Sequence, residues 1–402
     1  MIDVVKDKCV GCFACKNKCP QKCISLKPNK DGFLFPIIDY KKCVSCNACE
    51  TVCPVLNAIN KEDFSPLAYA VKNVDVKERL KSSSGGVWPI LAKSVLSEGG
   101  VIFGAVFGDG FKVKHDYTQN IDDIARFQGS KYVQSEIGDC YFTAEKFLKE
   151  GRRVLFSGTP CQIAGLKNYL GKNYDNLLSV DIACFGVPSP LIFEKYLSYI
   201  SEKYDAKPIK INFRDKTHGW ENYFFSIDFA DGKSFSENHD DNEMMQAFLS
   251  KYCLRDACYD CKFKGTNRFS DITLCDFWGV KESYPYAYDG EGVSLVFVND
   301  VKGEKALEDI KKYADCTAVD LKVATKNNPY MNRSVNRPIE REIFINQVKC
   351  KRFDVALKNT SKKAVRATKI KIYKEDIERI KKEQGVFRAT LYALKHFIKA
   401  YL

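Results

Sequence analysis

Two identical cysteine motifs open the chain and carry its most specific chemistry. Each has the spacing Cys-x2-Cys-x2-Cys-x3-Cys-Pro, which is typical of bacterial ferredoxins with two 4Fe-4S clusters. In such proteins the first three cysteines of a motif bind one cluster and the fourth binds the other. We therefore predict two clusters, one on Cys9, Cys12, Cys15 and Cys53, and one on Cys43, Cys46, Cys49 and Cys19.

Zinc sites and disulfide-rich domains are also dense in cysteine, so both are alternatives for this segment. A four-cysteine motif that occurs twice and ends in Cys-Pro both times favours iron-sulfur clusters. Cys23 lies outside both motifs and is expected to be a packed free thiol. The segment is thus predicted to transfer single electrons.

Four further cysteines occupy positions where ligands gather in α/β proteins. Cys161 lies at a predicted strand-to-helix junction, and Cys184 follows a predicted strand. Ligands collect at this edge of an open α/β sheet. Together with the Cys-x2-Cys pair of Cys258 and Cys261, these thiols are enough for a third cluster. The alternative is that the pair alone forms a zinc knuckle or a redox dithiol.

Two loops have compositions that suit ligand binding. Lys81–Gly86 precedes a helix that begins near Val87, and free amides at a helix N-terminus attract phosphate. A serine N-cap followed by a glycine turn is the alternative. The second loop, Gln128–Ser135, supplies a cation and hydroxyls, and by itself it could be a surface turn.

Alternating strands and helices predict an α/β domain with a mixed sheet after the N-terminal segment. The predicted helices are Val87–Ser97, Tyr141–Lys149, Pro190–Lys203 and Gly303–Tyr313. The predicted strands are Val101–Phe107, Arg153–Phe156, Leu177–Ala183, Ile209–Phe213, Tyr223–Phe229 and Val293–Val298. We place a ferredoxin-like dicluster domain in residues 1–60, a polar linker in Asn60–Pro66, the α/β domain in 67–346 and a basic helical tail in 349–402.

Composition indicates a water-soluble protein that resides in a reducing compartment. The chain has 402 residues, of which 18 are cysteine, and 45% of its residues are apolar. No apolar leader precedes Cys9, and no apolar run is long enough to span a membrane. Many cysteines without an export signal favour metal ligation, so we predict a cytoplasmic protein.

The net charge of +12 is concentrated in the tail. From Lys349 onward there are 16 basic and 5 acidic residues. Four apolar residues there have helical spacing, namely Phe387, Leu391, Leu394 and Ile398. Such a helix could make peripheral contact with an anionic membrane, dock an acidic partner such as ferredoxin, or pack back onto the body. Nucleic acid is not an expected partner, because no binding motif accompanies the charge.

Several phrases of the body resemble the coenzyme F420 hydrogenase/dehydrogenase beta subunit family. In chain order they are Ser157–Gln162, Phe213–Lys216 with Gly219–Trp220, Cys258–Cys261, Asp271–Thr273 and Asp276–Gly279. The resemblance implies FAD in the α/β domain, an additional 4Fe-4S cluster beside it, and hydride exchange with coenzyme F420 or a related small molecule.

The resemblance also implies roles for individual residues. The implied flavin contacts are Ser84, Gly85, Gly86, Ser130 and Lys131. The implied ligands of the third cluster are Cys161, Cys184, Cys258 and Cys261, with Cys253 in reserve. Two positions depart from the family pattern: Phe185 replaces a frequent histidine, which removes a polar contact near the site, and Cys275 replaces a common glycine.

The sequence therefore predicts an iron-sulfur flavoprotein oxidoreductase that links a two-electron hydride substrate to one-electron carriers. Ferredoxin or a partner redox subunit is the expected protein partner. One alternative is an electron-transfer subunit or ferredoxin-linked reductase that serves a partner enzyme, for example in cell-surface polysaccharide metabolism. Another is a redox-sensing iron-sulfur protein without flavin. No catalytic residue is predicted.

Overall fold

The computed structural model describes residues 2–57 and 64–360. In these ranges the α-helices are α1 (Ala14–Lys18), α2 (Ala48–Thr51), α3 (Val76–Leu80), α4 (Val87–Ser97), α5 (Ile124–Phe127), α6 (Cys140–Lys149), α7 (Pro160–Leu170), α8 (Pro190–Tyr204), α9 (Glu243–Leu249), α10 (Val280–Ser283), α11 (Val301–Ile310), α12 (Leu321–Thr325) and α13 (Glu340–Cys350). The strands are β1 (Ile24–Pro28), β2 (Leu34–Ile38), β3 (Leu67–Asn73), β4 (Val101–Phe107), β5 (Val113–Thr118), β6 (Val154–Gly158), β7 (Leu177–Ile182), β8 (Pro208–Asp215), β9 (Phe224–Phe229), β10 (Ser234–Asn238), β11 (Ile272–Asp276), β12 (Ser294–Val298) and β13 (Ala314–Val319).

The two N-terminal cysteine motifs fold as copies of each other. Gly11 and Ser45 occupy equivalent positions and have φ angles of 69° and 53°. Phe13 and Asn47, two residues further on, have φ angles of 61° and 59° and precede the short helices α1 and α2. The antiparallel hairpin of β1 and β2 lies between the two motifs. The sequence repeat thus corresponds to a repeat of backbone conformation.

The main sheet is mixed, as the alternating elements predict. Within the described residues it has eight strands in the order β13-β3-β12-β11-β7-β6-β4-β5. The inner strands β11, β7, β6 and β4 are parallel, and the remaining pairings are antiparallel. Because parallel strands end at the same edge, the loops after β6, β7 and β11 lie together.

Helices cover both faces of the main sheet. Apolar residues of α4 and α11 pack on one face with side chains such as Ile102 and Val180. Apolar residues of α6 and α7 pack on the other face with Phe103 and Phe156. These two apolar layers fix the position of the sheet edge that carries the cysteine loops.

A smaller sheet, with strand order β10-β9-β8, packs against α8, α9 and α13. The core between them is rich in aromatic side chains, including Tyr196, Phe213 and Phe225. Phe185 and Cys258 pack against this core, so the smaller sheet supports one side of the cysteine loops.

Two of the predicted elements are observed with the predicted boundaries, and others differ by a few residues. Helix Val87–Ser97 and strand Val101–Phe107 are observed as predicted. Strand β6 begins at Val154 and continues to Gly158, because Ser157 and Gly158 still pair with β7. The predicted helix over 303–313 begins earlier, at Val301, and ends in a 3-10 turn.

The predicted amphipathic stripe at 387–398 lies outside the described residues, as do residues 60–63 of the predicted linker. In the part of the tail that is described, α13 ends at Cys350 and residues 353–360 are helical. None of the helices in the described ranges has both the length and the hydrophobicity that crossing a bilayer requires.

Candidate redox centres and the central cavity

The cysteines of the two N-terminal motifs line two separate cavities. One is lined by Cys9, Cys12, Cys15 and Cys53. The other is lined by Cys19, Cys43, Cys46 and Cys49. The structure thus brings together the two sets predicted from the spacing, with the fourth cysteine of each motif exchanged. Among the described residues, no three His, Cys, Asp or Glu side chains converge as ligands of a single metal ion do.

Cys23 is a fifth thiol beside the second set. Its Sγ atom lies 3.4 Å from the Sγ atom of Cys19, and it lines the same cavity. The hydrogen bond to Cys19 raises the pKa of the Cys23 thiol to about 12. Cys23 is a buried thiol, as predicted, but the motif spacing did not indicate that it neighbours the predicted ligands.

The four cysteines implied as ligands of a third cluster also line one cavity. They are Cys161, Cys184, Cys258 and Cys261. Cys161 is the second residue of α7, and Cys184 follows β7. Cys253 is not among the residues that line this cavity; it is fully buried in the core beside the smaller sheet. The structure therefore favours the first four over the reserve residue.

Two cationic side chains lie at this third cavity. Lys264 Nζ donates hydrogen bonds to the carbonyl oxygens of Cys184 and Tyr330, and Arg268 is 2% exposed. Burial raises the pKa of Cys258 to about 12, whereas Lys264 opposes the effect of burial on the pKa of Cys184. Four thiolates in so apolar a site need nearby positive charge, which these cations and bound iron would supply.

A central cavity with a volume of about 300 Å³ lies at the carboxyl ends of the parallel strands. Its lining includes Ser157 and Gly158 of β6, Ile182 of β7, and Asp276 of β11. It also includes the start of α4 and the loop 128–135. This is the edge at which open α/β sheets bind ligands, and the volume is at the lower end of the usual range for small-molecule sites.

The five implied flavin contacts do not all face this cavity. Ser84, Gly86, Ser130 and Lys131 line it, but Gly85 does not. The Gly85 amide donates a hydrogen bond to Ser294 Oγ, and a Cβ atom at this position would lie 2.3 Å from the Val71 carbonyl oxygen. Gly85 is therefore required for close packing of the loop onto the sheet.

The start of α4 suits a phosphate group. Gly86, the N-cap residue, has a φ angle of 75°, and within the described chain no side chain caps the helix. Gly86, Val87, Trp88 and Pro89 line the cavity, so the first turn of this 11-residue helix faces it. The N–H groups of Val87 and Trp88 and the helix dipole attract anions at such a site, whereas Pro89 has no N–H to donate. The residues present fit the pyrophosphate of a dinucleotide.

Lys131 and His115 also line the cavity, and both are engaged by neighbouring groups. Lys131 Nζ donates to the carbonyl oxygens of Phe127, Gln128 and Gly129 at 3.0 to 3.5 Å. These three carbonyl groups hold Lys131 Nζ in place, and burial lowers its pKa to about 7, so its positive charge at the cavity depends on pH near neutrality.

His115 Nε2 lies 3.0 Å from the Ser157 carbonyl oxygen, and its Nδ1 atom lies 2.7 Å from Ser135 Oγ. Since a carbonyl can only accept, Nε2 carries the proton and Nδ1 accepts from the serine hydroxyl. Burial lowers the pKa of His115 to about 4. Sequence reasoning missed this histidine, because nothing in its local pattern indicates that it faces the cavity.

An ion pair between Arg214 and Asp276 supports another part of the cavity wall, which Asp276 lines. Arg214 donates to both carboxylate oxygens of Asp276, at 2.9 and 3.0 Å. Trp220 Nε1 donates to the same carboxylate, and its ring stacks on Trp278 at 4.9 Å. Burial opposes the charged form of Arg214, but the pair with Asp276 outweighs it and raises the pKa of the guanidinium. The network fixes Asp276 at the end of β11.

Two residues link the three inner cavities. Cys161 lines both the central cavity and the third thiol cavity. Val10 lines these two cavities and also the cavity of the first N-terminal set. The three sites are thus adjacent to one another. Sequence reasoning missed Val10 because an apolar residue inside a cysteine motif carries no distinguishing feature.

Buried arginines hold the N-terminal domain against the body. Arg255 donates to the carbonyl oxygens of Cys9 and Leu34, and its guanidinium lies 4.1 Å from the centre of the Phe35 ring. Arg341, which is fully buried, forms an ion pair with Asp31 at 3.1 Å. These contacts fix the first cysteine set relative to the central cavity.

Comparison with known proteins gives two family matches. Residues 151–323 match the family described as the C terminus of the coenzyme F420 hydrogenase/dehydrogenase beta subunit, and residues 8–57 match a 4Fe-4S dicluster domain. A solved structure of the F420-reducing NiFe hydrogenase complex from Methanosarcina barkeri contains a similar chain. It has 17% identity and a TM-score of 0.44, and the match covers 68% of this chain and 92% of that one. No curated protein matches. The family matches confirm the resemblance predicted from the cysteine motifs and the body phrases.

Proposed function

We propose that this chain, which joins a 4Fe-4S dicluster domain to a coenzyme F420 hydrogenase/dehydrogenase beta subunit domain, is an iron-sulfur flavoprotein oxidoreductase. Its central cavity would bind FAD together with a hydride donor or acceptor such as coenzyme F420 or a related compound. Its three cysteine sets would hold 4Fe-4S clusters. The observation that carries the proposal is that Cys161 lines both the central cavity and the third thiol cavity.

The residues that would hold FAD are those of the cavity wall. The free amides of the first turn of α4 would bind its phosphates, and Ser84, Ser130 and Lys131 lie on the same wall. A bound flavin supplies exchange of two electrons with a hydride compound and of single electrons with iron-sulfur centres. The remaining contributions to the reaction come from the protein.

The protein contributes a fixed, partly apolar environment. The Arg214–Asp276 pair holds the wall rigid, and Trp88 and Tyr132 exclude water from part of the cavity. Protonated Lys131 adds positive charge at the cavity, while Lys264 and Arg268 add it at the third cysteine set. Positive charge near a cluster or a reduced flavin stabilises the form that carries more electrons. These residues would therefore tune both potentials.

Anaerobic purification tests this proposal directly. We expect about twelve iron atoms per chain, from three clusters of four, and one extractable flavin that thin-layer chromatography identifies as FAD. We also expect bleaching of the visible spectrum when reduced coenzyme F420 is added. Iron without flavin would instead support the redox-sensing alternative. Flavin and iron that do not respond to coenzyme F420 would leave the oxidoreductase class intact and reject this substrate.

A further inference from the structure

The cavity of the second cysteine set lies directly under the surface of the N-terminal domain. Cys46 is exposed, and so are Val44 and Ser45, which also line this cavity. A cluster held there would be separated from solvent by one layer of side chains. In contrast, Cys12, Cys15 and Cys53 of the first set are buried. The second set is thus more accessible to another molecule than the first.

Exposed apolar side chains and lysines occur in the chain segments next to this cavity, and Val44 lines it. Ile37, Tyr40 and Val44 have 45%, 58% and 61% of their surface exposed. The exposed lysines beside the cavity are Lys22, Lys41 and Lys42. Large exposed apolar side chains that are grouped and surrounded by charge are typical of protein docking surfaces.

The charge of the domain indicates what kind of partner fits. Residues 2–57 contain nine lysines and five acidic residues. One of the acidic residues, Asp31, is buried in its ion pair with Arg341 and does not reduce the positive surface charge. At the face itself Lys22 and Lys41 are exposed cations, while Lys42 pairs with Asp39 at 3.7 Å and Tyr40 donates to Asp3. A cluster on four thiolates would add negative charge beneath them, so the lysines are the groups of this face that attract negatively charged proteins.

We propose that the surface formed by Ile37, Tyr40, Lys41, Lys42 and Val44, the carrier-docking surface, binds an acidic one-electron carrier protein. The inference rests on the proposed function, because it requires a cluster on the second cysteine set. One electron passes between the carrier and that cluster; the donor is oxidised by one electron, the acceptor is reduced by one, and no bond forms or breaks.

Stopped-flow mixing with a reduced acidic two-cluster bacterial ferredoxin, freed of its reductant, tests this surface. The readout is the bleaching of the oxidised full-length protein. We expect Lys41→Glu/Lys42→Glu to lower the second-order rate about tenfold or more at low ionic strength, since electrostatic steering raises association rates by about 10 to 1000 times. High salt should remove most of this difference.

The matched control is Lys207→Glu/Lys210→Glu, which makes the same charge change at exposed positions at the start of β8, in the smaller sheet. Its rate should equal that of the unchanged protein. Equal rates for the Lys41 and Lys42 variant would overturn the carrier-docking surface. Basic cytochrome c, as an acceptor from the pre-reduced protein, should show the opposite response and react faster with the Lys41 and Lys42 variant.

Two further measurements separate the possible failures. Fewer than about eight iron atoms per chain, the content of two clusters, would overturn the proposed function and this surface together. Intact iron with unchanged rates would overturn the surface alone. Sedimentation velocity of the chain by itself should show a monomer, which would mean that this face does not bind a second copy. A dimer that Val44→Asp dissociates would assign the patch to a second copy and overturn the carrier.

Discussion

Gly165 lies so close to Cys12 that a Cβ atom at Gly165 would be 2.8 Å from the Cys12 Cβ atom and 3.0 Å from its Sγ atom. Gly165 is on α7, one turn beyond Cys161. The same helix therefore carries a predicted ligand of the third cluster and packs against a predicted ligand of the first. A glycine allows this approach because it has no side chain to separate helix and loop.

Gly165→Ala should weaken the contact between α7 and the first cysteine loop. The new methyl group must displace Cys12 or the helix, and overpacking of this kind costs about 1 to 3 kcal/mol of unfolding free energy. Urea unfolding of the iron-loaded protein measures the cost, and flash reduction measures electron transfer between the two sites, which should slow as they separate. Gly108→Ala is the matched control, because its Cβ atom would make only ordinary contacts at 3.5 Å or more. Equal stability and transfer rates in both variants would contradict the close approach.

Cys161→Ala should remove the iron of the third cluster and leave the N-terminal clusters in place. We expect the iron content to fall by about four atoms per chain, since a 4Fe-4S cluster needs four thiolates, and coenzyme F420-dependent reduction to be lost. Iron analysis and the low-temperature EPR spectrum of the reduced protein distinguish the clusters. Cys253→Ala is the control and should retain all iron, because Cys253 does not line the third cavity. Unchanged iron in Cys161→Ala would reject Cys161 as a ligand.

The sequence was most informative where covalent chemistry fixes spacing. The repeated cysteine motifs are enough to group Cys19 with the second motif and Cys53 with the first, because a cluster on a short loop leaves few ways to place a fourth thiolate. The body cysteines needed the family resemblance as well, since Cys161 and Cys258 are far apart in sequence. Helices with clear apolar periodicity, such as Val87–Ser97, were predicted to the residue.

The parts that the sequence did not reveal depend on tertiary contacts. Strand β13 has the sequence Ala-Asp-Cys-Thr-Ala-Val, which is too polar for a clear strand prediction, yet it pairs with β3 along six residues. Gly85 lies in a loop whose composition suits ligand binding, but it packs on Val71 and Ser294. Val10 is recognisable as a residue shared by three cavities only in the folded structure. Such features follow from the assembled fold and have no local signature.

Lowering the pH should reduce the free energy of unfolding through the protonation of His115. Burial lowers its folded pKa from 6.5 to about 4, so between these values the unfolded chain binds a proton that the folded protein does not. The unfolding free energy therefore decreases as the pH falls from about 6.5 to 4, by about 3 kcal/mol in total for this group. Denaturant unfolding at several pH values should show this slope, and His115→Gln should reduce it. His218→Gln, at an exposed position, should leave it unchanged. An identical slope in the His115 variant would show that other groups cause it.

The ion pair between Asp31 and Arg341 should stabilise the contact between the N-terminal domain and the body. Both side chains are buried, and their charged atoms are 3.1 Å apart, while Lys349 Nζ lies 3.6 Å from the other carboxylate oxygen of Asp31. Arg341→Met should cost about 3 kcal/mol, because it leaves a buried carboxylate with a single, weaker partner. Asp31→Leu/Arg341→Met should recover most of this loss, since two apolar side chains of similar size need no charge partner. Thermal unfolding of the iron-loaded protein measures both variants. A double variant no more stable than Arg341→Met would show that Arg341 acts through its other partners, which are the Leu254 carbonyl oxygen, Glu342 and Asp256, rather than through Asp31.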